Sequence, residues 1–182
     1  VGVMAVLQAD CLAMLPANLE PGHLTDLLAT ADGMISSAEL VPGSKSWLQT
    51  FDEPSSGDVS LLHSLDPEDV EIILHTSGTT GVPTAINKPL CCLEAEISDA
   101  AEVLAPMPGR LTHATVPAYH IYGLIYRVLW PLCTNRPFSA NMISYPEELI
   151  SAAEADSGGM LISSPAFLRR ALPALDLEQL KT

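Results

Sequence analysis

The chain has 182 residues, 48% hydrophobic and only 16% charged, and its 22 acidic against 8 basic residues leave a net charge of −14. That length is enough for a real hydrophobic core. The acidic balance argues against a nucleic-acid or anionic-membrane surface, since those partners are held by clustered Lys and Arg. Sparse charge in so apolar a chain also implies that some apolar faces pack against further protein.

Taken in chain order, the pattern predicts a helix to about Ala9, a short strand at Cys11–Leu15, a helix at Leu24–Ala31 and a strand near Gly33–Ser36. A polar, Pro/Ser/Gly-rich connection runs on through Ser60, and Pro54 to Asp58 is its best candidate for a mobile loop. Asp66-Pro67-Glu68-Asp69 marks a turn before a strand at Val70–His75. After a glycine-bearing loop comes a helix at Leu90–Leu104, whose Glu94, Glu96, Asp99 and Glu102 read as a solvated face, not an acid–base pair. The series closes with strand Leu111–Val116, helix Ile121–Leu132, strand Phe138–Met142, helix Pro146–Ala155, strand Met160–Ser163 and helix Pro165–Leu172.

Strands alternating with helices predict an α/β fold: a three-layer arrangement with a mostly parallel sheet flanked by helices, here read as a single unit over residues 1–182. Ligands in such sheets sit beyond the carboxyl ends of the strands. The segments after Val70–His75 and after Leu111–Val116 both lie there, so they can converge on one site.

Cys11, Cys91, Cys92 and Cys133 show no CxxC or Cys/His metal spacing, and Cys91 and Cys92 read as small apolar residues. The expectation is a reduced, cytoplasmic protein. His23, His63, His75, His113 and His120 are scattered, which makes a zinc site unexpected. No run reaches the roughly 20 apolar residues of a membrane span. The first apolar run is broken by Gln8 and Asp10 and lacks a basic leader, so it does not read as a signal peptide.

The most informative stretch is Thr76, Ser77, Gly78, Thr79, Thr80 and Gly81, which follows the apolar run through His75. Four hydroxyls and two glycines give a loop of donors with little bulk, placed after a buried strand. Such a loop suits an anion with many oxygens, phosphate or pyrophosphate. The ordinary P-loop is excluded because no Lys-Ser or Lys-Thr pair follows, and there is no GxGxxG fingerprint. The plain alternative is a Ser/Thr/Gly surface turn between two elements.

Residues 76–83 resemble the phosphate-binding loop of the adenylate-forming (AMP-binding) superfamily, the group of acyl-CoA synthetases, luciferases and peptide-synthetase adenylation domains. The family pattern is an aromatic residue followed by TSG[ST]TGxPK. Two positions depart from it: His75 replaces the aromatic, and Thr84 stands where the family has lysine. Lys88, four residues on, could reach the same oxygens if the segment after Pro83 is irregular. Residues 117–132, PAYHIYGLIYRVLWPL, are similar to the family's Pro-x-x-His-x-x-Gly-Leu segment. There His120 would begin a helix beside the acyl pocket, with Tyr119, Ile121 and Tyr122 near it. Leu124, Ile125, Val128, Leu129 and Leu132 read as the helix's apolar stripe. A core or helix-cap histidine is the alternative for His120.

Weaker echoes (residues 1–16, DPEDVEIIL, YPEEL and GGMLISSPAFLRR) extend the resemblance over nearly the whole chain, closest to a bacterial acyl-CoA synthetase subgroup found with fatty-acid-type and polyene assembly enzymes. The resemblance implies part of a large N-terminal domain. On that resemblance, the family's domain ends, its C-terminal lid, the Tyr-Gly-x-Thr-Glu element, the ribose aspartate and the catalytic lysine are expected to lie outside these 182 residues. It implies ATP-dependent activation of an acyl or aryl carboxylic acid with ATP and Mg²⁺, then thioester formation with coenzyme A or a carrier-protein thiol. Thr79 and Thr80 would contact the phosphates, supported by Thr76, Ser77 and the N–H groups around Gly78 and Gly81, and His120 would position the carboxylate. The segment alone is expected to be inactive without the remainder of the synthetase. A non-catalytic nucleotide-binding module, or a domain that keeps the fold without chemistry, are the competing expectations.

Overall fold

The computed structural model describes residues 2–36, 46–48, 62–76, 83–104, 111–156 and 159–174, with the backbone alone for 46–48. These group into two compact units, Val1–Cys92 and Leu93–Thr182, where the sequence reads as one.

The first unit contains α1 (Gly2–Gln8), β1 (Ala13–Leu15), α2 (Pro21–Leu28), β2 (Met34–Ser36), β3 (Ser46–Leu48), β4 (Glu71–Thr76) and β5 (Thr84–Pro89). β1 runs parallel to β4, with Ala13 opposite Ile72 and Leu15 opposite Leu74. Ile72 and Leu74 point to one face of β4 and are buried, as are Leu7, Ala13, Ala17 and Leu24, so the two-residue period of the strand decides which side is core. α2 begins at Pro21, earlier than its apolar pattern indicates, because proline is pre-set for the first helical turn and gives up no needed donor there. β3 pairs in parallel with β2 inside what the sequence presents as a polar connection. The Pro54–Asp58 loop lies outside the described residues.

β5 is the main departure from the expected alternation. It runs antiparallel to β4 from Thr76 opposite Thr84 to Glu71 opposite Pro89, before α3 (Leu90–Leu104) starts at the expected place. Its residues Thr84 to Asn87 are exposed, so this edge strand lacks the alternating apolar signature that would announce it.

The second unit carries the rest of α3, β6 (Thr112–Ala114), α4 (Ile121–Gly123), a π-helical segment Leu124–Leu129, α5 (Trp130–Cys133), β7 (Phe138–Met142), α6 (Pro146–Asp156), β8 (Met160–Ile162) and α7 (Pro165–Ala171). The sheet order is β7-β6-β8, all parallel. Ala114, Val116 and Ile162 form one core cluster, and Ile143, Leu149, Phe167 and Ala171 form another.

The helix starts explain why this half is legible in sequence. Glu148 Oε2 accepts from the N–H groups of Ser144 (2.7 Å) and Tyr145 (3.4 Å), tying down donors at the start of α6. Ser164 Oγ accepts from Phe167 N–H at 3.2 Å ahead of Pro165, a capped start for α7.

Tyr126 Oη donates to Glu96 Oε1 at 3.2 Å, tying the π segment to α3. Burial, then the charge of Glu96, pushes the phenol above its ordinary value. Tyr126→Phe is expected to cost about 1 kcal/mol in urea unfolding at neutral pH. The fold favours the protonated phenol. Its contribution is therefore complete below the unfolded pKa near 10 and is lost as pH rises through the higher folded value. The Phe variant should lack that alkaline decline.

Candidate functional site

At the carboxyl edge of the first unit, β1 and β4 end side by side, and the histidines there are held by backbone. His75 Nδ1 lies 3.1 Å from Leu15 O; a carbonyl only accepts, so this nitrogen carries the proton. His23 Nε2 accepts from Ala17 N–H at 3.1 Å, and the two imidazoles meet edge-on at 6.2 Å. His75, at the family's aromatic position, thus joins the end of β4 to the end of β1 by a hydrogen bond. Thr76 closes β4 opposite Thr84, with Oγ1 at a long 3.5 Å from Thr84 O. The hairpin mouth is therefore defined on both sides. Ser77, Gly78, Thr79, Thr80 and Gly81 lie outside the described residues.

Lys88 does not sit on the irregular segment that a reach toward the loop requires. It lies in β5 opposite Ile72, four residues from Thr84, about 13 Å along a strand. Strand geometry takes it away from the hairpin mouth and leaves Thr84, exposed, at the family's lysine position.

A cavity of about 270 Å³ opens at the other end of this sheet, lined by Leu7, Asp10, Cys11, Leu12, Asp69, Val70 and Glu71. Its three carboxylates have the wrong sign for a nucleotide. Cys91 is not an activated nucleophile, because burial and then Glu68 push its thiol above the usual range.

In the second unit, β6 leads through Thr115 and Val116 into the turn Pro117–His120. Thr115 N–H donates to Ile162 O at 2.9 Å, and its hydroxyl meets Ser163 Oγ at 2.8 Å, joining the carboxyl ends of β6 and β8. The turn closes by His120 N–H to Pro117 O at 3.2 Å, and Leu124 N–H then donates to His120 O at 2.7 Å. His120 takes the position before α4 with extended backbone (φ −82°, ψ 144°), and its imidazole makes no capping bond. The side chain is exposed, stacked at a tilt on Tyr119 with 5.3 Å between rings.

Gly123 is required by close approach: a Cβ there would lie 2.0 Å from Pro117 O. Beyond it the helix widens to π geometry, and Trp130 N–H reaches back five residues to Ile125 O. Pro131 lacks an N–H and would collide with the carbonyl four residues earlier in an α-helix, which the wider turn relieves. The extra residue re-phases the helix. Leu124, Ile125, Trp130 and Pro131 are buried, whereas Leu132, expected inside, is 57% exposed. The same shift turns Arg127 inward to 8% exposure, a residue that a 3.6-residue period places on the solvent side. Its Nη1 donates to Val116 O at 3.1 Å and its Nη2 to Ala140 O at 2.7 Å. Burial lowers the guanidinium's affinity for its proton.

Among the described residues there is no cluster of three or more His, Cys, Asp or Glu able to hold a metal ion, and no helix long and apolar enough to cross a membrane. No family model matches the chain. It is 32% identical over 96 residues, 47% of its length, to a 4-coumarate–CoA ligase of Rhodobacter capsulatus. The chain is also 28% identical over 113 residues, 62% of its length, to a probable CoA ligase of Humulus lupulus, so its curated relatives include CoA ligases. It spans about a quarter (25%) of the length of the Rhodobacter ligase.

Two solved structures share the fold over nearly all of the chain. An acyl-CoA synthetase of Brucella canis superposes with a TM-score of 0.69 over 96% of this chain and 37% of its own, at 16% identity. A malonyl-CoA ligase, solved with methylmalonyl-CoA and AMP bound, gives 0.65 over 97% of this chain and 40% of its own, at 18% identity. The α/β architecture expected from the sequence is thus shared with both of these solved structures.

Proposed function

We propose that this chain supplies the phosphate-holding loop and part of the acyl site of an enzyme that activates a carboxylic acid with ATP. One observation carries the reading. In a chain homologous to CoA ligases, both family motifs directly follow the carboxyl ends of parallel strands, where α/β sheets place their ligands.

A carboxylate oxygen of the substrate attacks the α-phosphorus of ATP, the bond to the bridging oxygen breaks, and pyrophosphate departs with the electron pair. A thiolate of coenzyme A or a carrier protein then attacks the acyl carbon and expels AMP. The hydroxyls and N–H groups of Thr76 to Gly81 hold the β- and γ-phosphates and stabilise the departing pyrophosphate. Mg²⁺ bound with the nucleotide would neutralise phosphate charge that a chain of net charge −14 does not. His120, with its imidazole uncommitted to capping, positions the carboxylate. A carboxylate nucleophile needs no general base. The substrate is an apolar acyl or aryl acid, and the setting is cytoplasmic.

The test is carboxylate-dependent exchange of pyrophosphate into ATP by the polypeptide that carries these residues, together with the response of the Thr76–Thr84 amides of this chain to Mg·ATP. Exchange with an acyl or aryl acid is the expected result. Amide shifts without exchange would instead support a non-catalytic nucleotide-binding module, a reading that Thr84 and the remote Lys88 favour. Neither response would overturn both.

Thr84 supplies a further prediction. It is exposed at the hairpin mouth, so Thr84→Lys adds a cation there at little cost to packing. The variant is expected to bind Mg·ATP about tenfold more tightly by titration calorimetry, the scale of one charge-assisted contact.

A further inference from the structure

We infer that Arg127 is a positioning residue that fixes the His120 turn by cross-linking the segment that leaves β6 to the middle of β7. The inference rests on the reading of His120 as part of the acyl site.

A guanidinium at 8% exposure ordinarily finds a carboxylate, because removing a charge from water is costly. The two acceptors of Arg127 here are backbone carbonyls, Val116 O just beyond β6 and Ala140 O within the neighbouring strand β7. The pairing of β6 with β7 explains why one of them needs a donor. Its register slips between Thr112 opposite Phe138 and Ala114 opposite Met142, so the regular ladder skips Ala140. A bulge of this kind leaves ladder groups without strand partners, and bulges recur beside functional sites. Arg127 fills that gap with one nitrogen and holds Val116, the residue just before Pro117, with the other.

Three ties therefore converge on the turn. Arg127 fixes the carbonyl entering it, Gly123 allows the helix to close on Pro117 O, and Leu124 N–H holds His120 O. None of them uses the His120 imidazole, which stays exposed. The π segment is what brings Arg127 inward to do this, and π turns are often retained at functional sites.

The test compares Arg127→Lys with the wild-type 182-residue chain by amide hydrogen exchange. A lysine keeps the charge but cannot span two carbonyls. The expected result is at least a tenfold loss of protection at the His120 and Leu124 amides, with Leu168 in α7 unchanged. Protection at His120 and Leu124 within twofold of wild type would overturn the inference. So would a loss shared equally by Leu168, the mark of a merely structural role. Should Arg127→Lys fail to fold, the wild-type guanidinium resonances decide: separate, slowly exchanging Nη protons are expected, and rapidly averaged ones would overturn it. In the polypeptide that carries these residues, Arg127→Lys should raise KM for the carboxylate fivefold or more and leave KM for ATP unchanged. An equal rise in both would count against positioning. Absence of pyrophosphate exchange in the wild type would defeat the proposed function, while the amide and guanidinium signals would still decide the role of Arg127.

Discussion

Gly123→Ala is expected to lower stability by about 3 kcal/mol, seen as a shifted urea midpoint with little change in slope. The magnitude follows from what the new methyl meets. An ideal Cβ would sit 2.0 Å from Pro117 O and 2.8 Å from Pro117 C, both backbone atoms that cannot rotate aside. Relief requires the helix to withdraw from the turn, which stretches the Leu124 N–H bond to His120 O and disturbs the carbonyl that Arg127 holds. Backbone strain is not the cause, since Gly123 has ordinary helical angles (φ −70°, ψ −39°) that alanine adopts readily. Gly22 provides the control. It lies in α2 with nothing within 4 Å of a built Cβ, so Gly22→Ala should stabilise by about 0.5–1 kcal/mol through helix propensity. A Gly123→Ala variant as stable as the Gly22→Ala control would show that the turn and helix are not in contact as described.

Much of this architecture is legible in sequence because local signals and tertiary packing agree. The strand through Ile72 and Leu74 alternates buried and part-buried residues after an Asp-Pro turn, the helix Leu90–Leu104 buries Leu93 and Ala100, and the helix from Pro165 has Ser164 as its cap. What escaped reading lacks a local signature. β5 is exposed along Thr84–Asn87 and earns its pairing from β4 through tertiary register alone. The β7 slip is invisible without knowledge of its neighbour. The π segment breaks the very period used to find helices, so Leu132, which reads as part of the apolar stripe, is exposed while Arg127 is buried. The division into two compact units has no linker composition to announce it. At the site, the motifs are readable as residue types, but the consequence of Lys88 lying in a strand is not, because that depends on Lys88 standing opposite Ile72.

Replacing Thr79 and Thr80 together by valine is expected to lower the rate of carboxylate-dependent pyrophosphate exchange by about 100-fold in the polypeptide that carries them. Valine keeps the β-branched shape of threonine and removes only the hydroxyl, so the loss isolates hydrogen bonding from loop conformation. If those hydroxyls hold the departing pyrophosphate, they act where charge grows during the reaction, and removing such donors costs a few kcal/mol in the transition state. The loss should therefore fall on the maximal rate, with KM for the carboxylate unchanged and the thermal midpoint within a degree or two of wild type. Thr76→Val should behave differently. Its hydroxyl already lies near Thr84 O at 3.5 Å, at the closed end of the β4–β5 pair, so a smaller loss, nearer tenfold, is expected there. A double valine variant that exchanges pyrophosphate at the wild-type rate would leave the loop a simple chain reversal and remove the ground for a nucleotide at this hairpin.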